Sequence, residues 1–179
     1  MNIPDHNQAL AMLTAKQGQN PERVAHCLAV AGLARAMAEI MIANGHDLNL
    51  ALVQAAALLH DIGKGQANHA LAGGDYLRGL GYPEVGTVAE LHGRLGGRTP
   101  SPDEPVSEAE VVFLADKCFH GPTRVTPEER YRLWRQSVAG NPERLASLAQ
   151  GQERTRIVTA RIEKAMGRPL EEVRPVLPG

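Results

Sequence analysis

Aromatic side chains are scarce in this chain of 179 residues, at 3% of the sequence, although apolar residues make up 43%. The core must therefore be built from Ala, Leu, Val, Ile and Met, which favours close packing of helices over a sheet. A chain of this length can bury a sizeable core within one domain. We therefore predict an all-α fold, in the form of a single-domain bundle of several helices.

A surplus of charge of either sign is also lacking, because the formal net charge is -1 and acidic and basic residues are interspersed. An extended nucleic-acid surface or an anionic membrane would need a field of one sign, so we expect neither as a partner. The N-terminal sequence has no basic stretch followed by an apolar segment, as a secretory signal would, and we read no apolar run of about 20 residues. We therefore expect a cytoplasmic protein.

Cysteine is limited to two residues, Cys27 and Cys118, and each lies in an apolar helical segment. Their spacing matches no zinc-finger pattern. We predict that both are reduced thiols of the core, with a disulfide between them as the alternative.

Helix start and stop signals divide the chain. Asn20 before Pro21 is a typical helix start, and Asn44 before Gly45 is a typical stop. Residues 93–105 are rich in Gly and Pro and predict a loop, which is either a mobile flap or a plain surface connector. Predicted helices span residues 5–17, 21–43, 48–60, 68–80, 84–92, 106–117, 127–138 and 142–166, followed by a frayed tail. We divide the domain into an N-terminal helix (1–19), a metal-binding core (20–125) and C-terminal helices packed on that core (126–179).

The most informative motif is the pair His60 and Asp61, which ends an apolar run and is followed by Ile-Gly-Lys. Two adjacent ligand-type side chains beside a buried helix are costly to keep dry without a cationic partner. His26 and Asp116 each continue an apolar stripe of another helical segment, at a spacing of three or four residues. A single inward histidine is more often a hydrogen-bonded core residue, and Asp116 could pair with an arginine. Three segments that each supply an inward ligand nevertheless favour a divalent metal site.

The order His26, then His60-Asp61, then Asp116 resembles the HD superfamily of metal-dependent phosphohydrolases over roughly residues 20–120, and most closely its HDIG-type branch. The resemblance implies an all-helical enzyme that cleaves a phosphoester or phosphoanhydride bond through a metal-activated water. It also implies a small phosphorylated substrate, nucleotide-like in kind, and a divalent ion (Mn, Fe, Mg, Co, Ni or Zn) held by those four residues. Asp61 takes the place of the family carboxylate that reaches the metal-bound water or bridges two metals.

Two more histidines raise the question of a second ion. In dinuclear relatives, histidines between the His-Asp pair and the last Asp complete that site. His69 opens a segment that resembles the family's His-Ala-x-x-Gly, and His92 ends the next helix. Some dinuclear members have two adjacent histidines where this chain has His92 alone, so one ion and two ions both stay open. The alternatives are a helix-start residue for His69 and a helix C-terminal cation for His92.

Basic residues near these ligands are candidates for contacting a substrate phosphate. Lys64, one helical turn after the His-Asp pair, is expected to act with Asp61 in catalysis by stabilising developing negative charge, with a solvated lysine as the alternative. Further candidates are Arg23, Lys117, His120 and Arg124, for which an ordinary ion pair or a solvated loop is the competing interpretation.

Two other functions compete with hydrolysis. Some proteins of this superfamily use a di-iron centre for oxidation, and a non-catalytic regulatory module could bind a metal or a nucleotide without cleaving it. A closed metal shell without an exchangeable water would favour the regulatory role. For the oligomeric state, a homodimer is the alternative to a monomer.

Overall fold

The computed structural model describes residues 1–176, and almost all of its regular structure is helical, as predicted. A two-stranded antiparallel hairpin, β1 (Phe119–His120) with β2 (Thr123–Arg124), and two 3₁₀ turns (Leu95–Gly97 and Leu170–Glu172) accompany the helices. The α-helices of the described part agree with the predicted bounds to within two residues: α1 (His6–Gln17), α2 (Pro21–Ala43), α3 (Leu50–Leu59), α4 (His69–Gly79), α5 (Pro83–Leu91), α6 (Glu108–Lys117), α7 (Pro127–Ser137) and α8 (Pro142–Met166).

Side-chain caps set several helix starts. The Asn20 side chain accepts a hydrogen bond from the Arg23 backbone N–H at the start of α2. Ser107 and Glu110 form a reciprocal capping box at the start of α6. These bonds satisfy backbone donors that the first turn of a helix leaves unpaired, which is why the sequence signals located the ends so closely.

Helix α2 runs through the centre of the fold and packs against α1, α3, α6 and α8. Its side chains Val30, Leu33, Met37 and Met41 are fully buried. Contrary to our reading of the sequence, α2 is long and apolar enough in composition to cross a membrane. More than half of the apolar stretch of α2 is buried inside the protein, which is the packing of a core helix.

Both cysteines are buried free thiols, so the disulfide alternative does not apply. Burial raises the pKa of both thiols, to about 12 for Cys118. Because the thiolate is the reactive form, these side chains act as small apolar groups of the core at neutral pH.

The segment after α8 packs on the core, and the expectation of a frayed tail is wrong for residues 167–176. Leu170 and Val173 are buried. The Val176 backbone N–H donates to the carbonyl oxygen of Gly32 at 3.1 Å. A Cβ at Gly32 would lie 2.5 Å from the Val176 carbonyl oxygen, so a glycine is needed for this approach. The last part of the predicted tail, residues 177–179, lies outside the described residues.

Helices α4 and α5 approach each other closely through glycines. A Cβ at Gly74 would lie 2.9 Å from the Gly86 carbonyl oxygen, and a Cβ at Gly86 would lie 2.6 Å from the Gly74 carbonyl oxygen. Neither position can therefore carry a larger side chain without separating the helices. The close packing fixes His69 at the start of α4 relative to His92 at the end of α5.

Candidate metal centre

Ligand-type side chains from five helical elements converge at the C-terminal end of α3. His60 and Asp61 follow α3 directly, while α2, α4, α5 and α6 supply the others. All are buried except the partly exposed His69. The set comprises the predicted ligands His26, His60, Asp61 and Asp116, together with His69 and His92.

One group of ligand atoms surrounds a carboxylate oxygen of Asp116. Its Oδ1 lies 3.2 Å from His26 Nε2 and 3.6 Å from His60 Nε2. The two Nε2 atoms are themselves 3.3 Å apart. Three potential ligand atoms, from three separate helical elements, therefore point at one another in a buried space.

A second group surrounds Asp61, whose two oxygens face in different directions. Its Oδ1 lies 3.4 Å from His69 Nε2 and 3.6 Å from His92 Nε2. Its Oδ2 lies 3.9 Å from His60 Nε2. The Asp61 carboxylate thus stands between the two groups, as a bridging ligand would.

The hydrogen bonds of the rings show that the donors suit a cation. The Nδ1 atoms of His26, His60 and His92 lie 2.8, 2.8 and 2.5 Å from the backbone carbonyls of Gly121, Ala57 and Ala89. A carbonyl oxygen only accepts, so each Nδ1 carries the proton, and Nε2 of the neutral ring is a bare acceptor. Acceptors that face one another across 3.3 Å, beside carboxylates, repel unless a cation lies between them. The residues present therefore fit a divalent metal.

The protonation states agree with this arrangement. Burial raises the pKa of Asp61, but the charges of His60 and Lys64 outweigh it and hold that pKa at about 2. Burial likewise opposes ionisation of Asp116, yet the charge of Lys117, whose Nζ lies 2.7 Å from Asp116 Oδ2, holds the pKa of Asp116 well below the usual range. Burial lowers the pKa of His92 to about 3. At neutral pH both carboxylates are ionised and His92 is neutral, which are the forms that bind a metal.

His60 behaves differently, because its pKa is raised although its burial acts to lower it. The carboxylates of Asp61 and Asp116 cause the rise. They favour a positive charge at this position, so a metal ion and a proton compete for the same place.

The turn that carries the His-Asp pair is held by Gln17 at the end of α1. The Gln17 Nε2 donates to the carbonyl oxygens of Ile62 and Lys64, at 2.9 and 3.0 Å. Its Oε1 accepts a hydrogen bond from Arg23 at 2.8 Å. Sequence reasoning missed Gln17, since no pattern marks a polar residue that contacts a turn 45 residues away.

Gly63 lets the same turn pack against α4. A Cβ there would overlap the His69 carbonyl oxygen and lie 2.5 Å from the Gly73 backbone nitrogen. We expect Gly63→Ala to lower the free energy of unfolding by about 1–3 kcal/mol, since backbone atoms must move to accept the methyl group. Urea unfolding measures this loss. In the control Gly79→Ala, at the end of α4 with no atom within 4 Å of the added Cβ, stability should be unchanged or slightly higher. Equal stabilities for the two variants would contradict the expected clash.

The two lysines beside the carboxylates have different environments. Lys64 is partly exposed and its Nζ lies 3.2 Å from both oxygens of Asp61. Lys117 is buried, and its Nζ donates to Asp116 Oδ2 at 2.7 Å and to the His92 carbonyl oxygen at 3.1 Å. Lys117 therefore orients Asp116 so that Oδ1 faces the histidines.

A cavity of about 1070 Å³ opens onto this cluster and extends to helices α7 and α8. It is large enough for a nucleotide-sized ligand. The lining includes the apolar and aromatic side chains of Trp134, Tyr131 and Leu148. The basic side chains of Lys64 and Arg94 line the cavity too. An anion with an apolar or aromatic portion matches this lining.

The remaining predicted phosphate contacts lie in three different places. Arg23 lines a smaller cavity on the cluster. The exposed His120 lies next to the site, where its Nδ1 accepts from Arg130 at 2.6 Å. Arg124 faces a separate cavity beside the C-terminal segment, with its guanidinium 3.4 Å from the Leu170 carbonyl oxygen. The short β1–β2 hairpin turns Arg124 away from the ligands.

The Gly- and Pro-rich segment 93–105 is fastened to α8. Arg154 donates to the Gly97 carbonyl oxygen at 2.8 Å, and Arg161 donates to the carbonyl oxygens of Ser101 and Glu104. Gly96 and Gly97 still line the large cavity. These bonds favour the connector interpretation over the flap.

Comparison with known proteins gives a match to one family model and matches to individual relatives. A family model described as HD domain matches residues 23–119. A protein of Methanocaldococcus jannaschii without an assigned function is 28% identical over 151 residues, which cover 76% of this chain and 88% of that protein. A tRNA (cytidine(56)-2'-O)-methyltransferase of Thermoplasma volcanium is 33% identical over 161 residues, covering 82% of this chain but 46% of the methyltransferase. The chain therefore spans about half the length of that enzyme. No solved structure gave a significant match.

Proposed function

The chain belongs to the HD domain family, and we propose that it is a metal-dependent phosphohydrolase that cleaves a phosphoester or phosphoanhydride bond of a nucleotide-like small molecule. The main support is the pair of bare ring nitrogens, on His26 and His60, that face each other across 3.3 Å beside an ionised carboxylate. Such a set needs a cation, and it lies at a cavity large enough for a nucleotide.

We propose that two divalent ions are held. His26, His60 and Asp116 would hold one ion, with Asp61 close to it. Asp61, His69 and His92 would hold the other, because Asp61 directs one oxygen toward each group. The donors are imidazole nitrogens and carboxylate oxygens, without a thiolate. This donor set suits Mn, Fe, Co, Ni or Zn, and it suits Mg less well because Mg prefers oxygen ligands.

Bound divalent ions would supply Lewis-acid polarisation of a phosphoryl oxygen and a water of lowered pKa. The chain's own residues would position the substrate. Lys64 pairs with Asp61 at 3.2 Å and is partly exposed to the large cavity, so it can turn its ammonium group to a substrate oxygen. It would then stabilise negative charge that develops during cleavage.

The first experiment is a metal analysis of protein purified without a chelator, followed by a phosphate-release screen with added Mn, Fe, Mg, Co, Ni and Zn. Nucleotides and phosphate esters are the main substrates to test. RNA with a terminal phosphate belongs in the screen as well, because one relative is named as a tRNA-modifying enzyme. Phosphate release that depends on the ion supports the hydrolase. Tightly bound iron with oxygen uptake would support the oxidation chemistry instead, and metal without turnover would support the regulatory module.

His92→Gln tests the number of ions. We expect bound metal to fall from about two equivalents to about one, and turnover to fall at least tenfold, because loss of a ligand exceeds the usual effect of an outer-shell change. Metal analysis by mass spectrometry measures the first effect. The exposed His6 provides the control, since His6→Gln removes an imidazole far from the cluster in sequence and should leave both values unchanged. Two equivalents retained in His92→Gln would contradict the dinuclear proposal.

The proposed function also bears on the location of the protein, its partners and its oligomeric state. We propose a cytoplasmic enzyme that acts on a small soluble substrate, without a membrane partner or an extended nucleic-acid surface. A homodimer also stays a proposal, which light scattering in solution tests directly.

A further inference from the structure

A second, smaller cavity reaches the ligand cluster beside the large one. Its volume is about 180 Å³, and it shares His26, Asp61 and Arg130 with the large cavity. Sites for drug-sized ligands usually occupy about 300–1,000 Å³. The small cavity therefore cannot hold the body of a nucleotide, but it has room for a tetrahedral oxyanion next to the cluster.

Arg130 of α7 stands where the two cavities meet. Its guanidinium lies over the ring of Trp134, 4.3 Å from the ring centre, and it donates to His120 Nδ1. Its Nε is buried without a hydrogen-bond partner in residues 1–176, and no carboxylate of those residues forms an ion pair with it. A partly buried guanidinium that is oriented but lacks an anion has open donors for an incoming one.

Arg23 approaches the same small cavity from α2. It donates to Gln17, and within the described residues it too has no carboxylate partner. Two arginines from different helices therefore line one small space. Glu22 and Asp61 also line it, so the fixed charges balance before a metal binds. A divalent ion would leave the space positive and suited to an anion.

We propose that the small cavity is an oxyanion site in which Arg23 and Arg130 bind the phosphate group under attack and, after cleavage, the released phosphate. The body of the substrate then lies in the large cavity. This inference rests on the proposed hydrolase function for the identity of the anion. Arg130 acts as a substrate-binding residue, while Trp134 and His120 position its guanidinium.

The test is calorimetric titration of inorganic phosphate into metal-loaded protein. Charge-assisted hydrogen bonds contribute enough that Arg130→Gln and Arg23→Gln should each weaken phosphate binding by about ten- to a hundredfold. Arg130→Lys keeps the positive charge but loses the paired donors of the planar guanidinium, so its affinity for phosphate should be intermediate. Arg132→Gln is the matched control, because Arg132 lies on the same helix, is exposed and pairs with Glu129. Metal content and thermal unfolding are recorded for every variant, to separate loss of the site from loss of the fold.

Phosphate affinity that is unchanged in folded, metal-loaded Arg130→Gln and Arg23→Gln would overturn the oxyanion site. So would a wild-type protein that does not bind phosphate. These results differ from failure of the hydrolase proposal, which is judged by phosphate release from esters. A protein that binds phosphate through both arginines but cleaves no ester would keep the site and lose the hydrolase. A protein that cleaves esters, but whose phosphate affinity is the same with and without both arginines, would keep the hydrolase and lose the oxyanion site.

Discussion

Asp116→Asn is expected to lose its tightly bound metal and to reduce turnover by about three orders of magnitude or more. Asp116 Oδ1 lies 3.2 Å from Nε2 of His26 and 3.6 Å from Nε2 of His60. A neutral amide binds a divalent ion far more weakly than a carboxylate does, and the ion supplies several kcal/mol of transition-state stabilisation. Metal analysis and a phosphate-release assay on the same preparation measure both effects.

The fold of Asp116→Asn has to be checked, because Asp116 also neutralises the buried Lys117. The asparagine oxygen can still accept the lysine's hydrogen bond, so we expect a folded protein of reduced stability. The exposed Asp103 offers a control with the same change of charge, and Asp103→Asn should retain metal and turnover. Full metal content and full activity in Asp116→Asn would refute the assignment of this residue as a ligand.

The helical architecture could be predicted because its signals are local. Asn20, Ser107 and Asn141 are caps whose side chains accept a backbone N–H of the following helix, and such short-range bonds are visible in sequence. The packed tail could not be predicted in this way. Val176 and Gly32 are far apart in the sequence, and the segment between Gly167 and Val176 is too short to show an amphipathic period beyond its single 3₁₀ turn. Only the folded core decides where such a segment lies.

Some residues of the candidate site could likewise be predicted from local sequence patterns, and others could not. His26 and Asp116 were found because a polar residue that continues an apolar stripe points into the core. Arg130 was not found, because α7 is a polar helix that also carries Arg132 and Arg135, and only its packing against the cluster selects one of the three. Arg124 was expected beside the substrate because it follows Asp116 closely in sequence, and the hairpin directs it elsewhere. Sequence thus identifies a buried polar side chain that continues an apolar stripe, whereas Arg130, on a polar helix with two other arginines, is identified only by the packing of α7.

Arg161→Met is expected to lower the free energy of unfolding by about 3–5 kcal/mol, which corresponds to a fall in Tm of about 6–20 degrees. Arg161 is buried, and its Nε donates to Glu110 Oε1 at 2.8 Å. It also donates to the backbone carbonyls of Ser101 and Glu104. The variant would leave a buried carboxylate and two carbonyls without their donor, although methionine fills much of the volume. Differential scanning calorimetry measures the change in Tm.

Arg156→Met is the matched control, because Arg156 lies on the same helix and also pairs with a glutamate, Glu153, but both side chains are exposed. Its Tm should stay close to that of the wild type. The double variant Arg161→Met with Glu110→Gln should recover part of the loss, since it no longer buries an unpaired charge. If Arg161→Met were as stable as Arg156→Met, water would have to reach the Glu110 carboxylate, and segment 93–105 would not be fastened as the contacts indicate.

The helix that carries Asp116 begins at the Ser107–Glu110 capping box, so the ion pair between Arg161 and Glu110 joins α8 to the start of the helix that supplies a proposed metal ligand. A loss of stability without a loss of metal would show that the pair supports the fold and leaves the ligand in place.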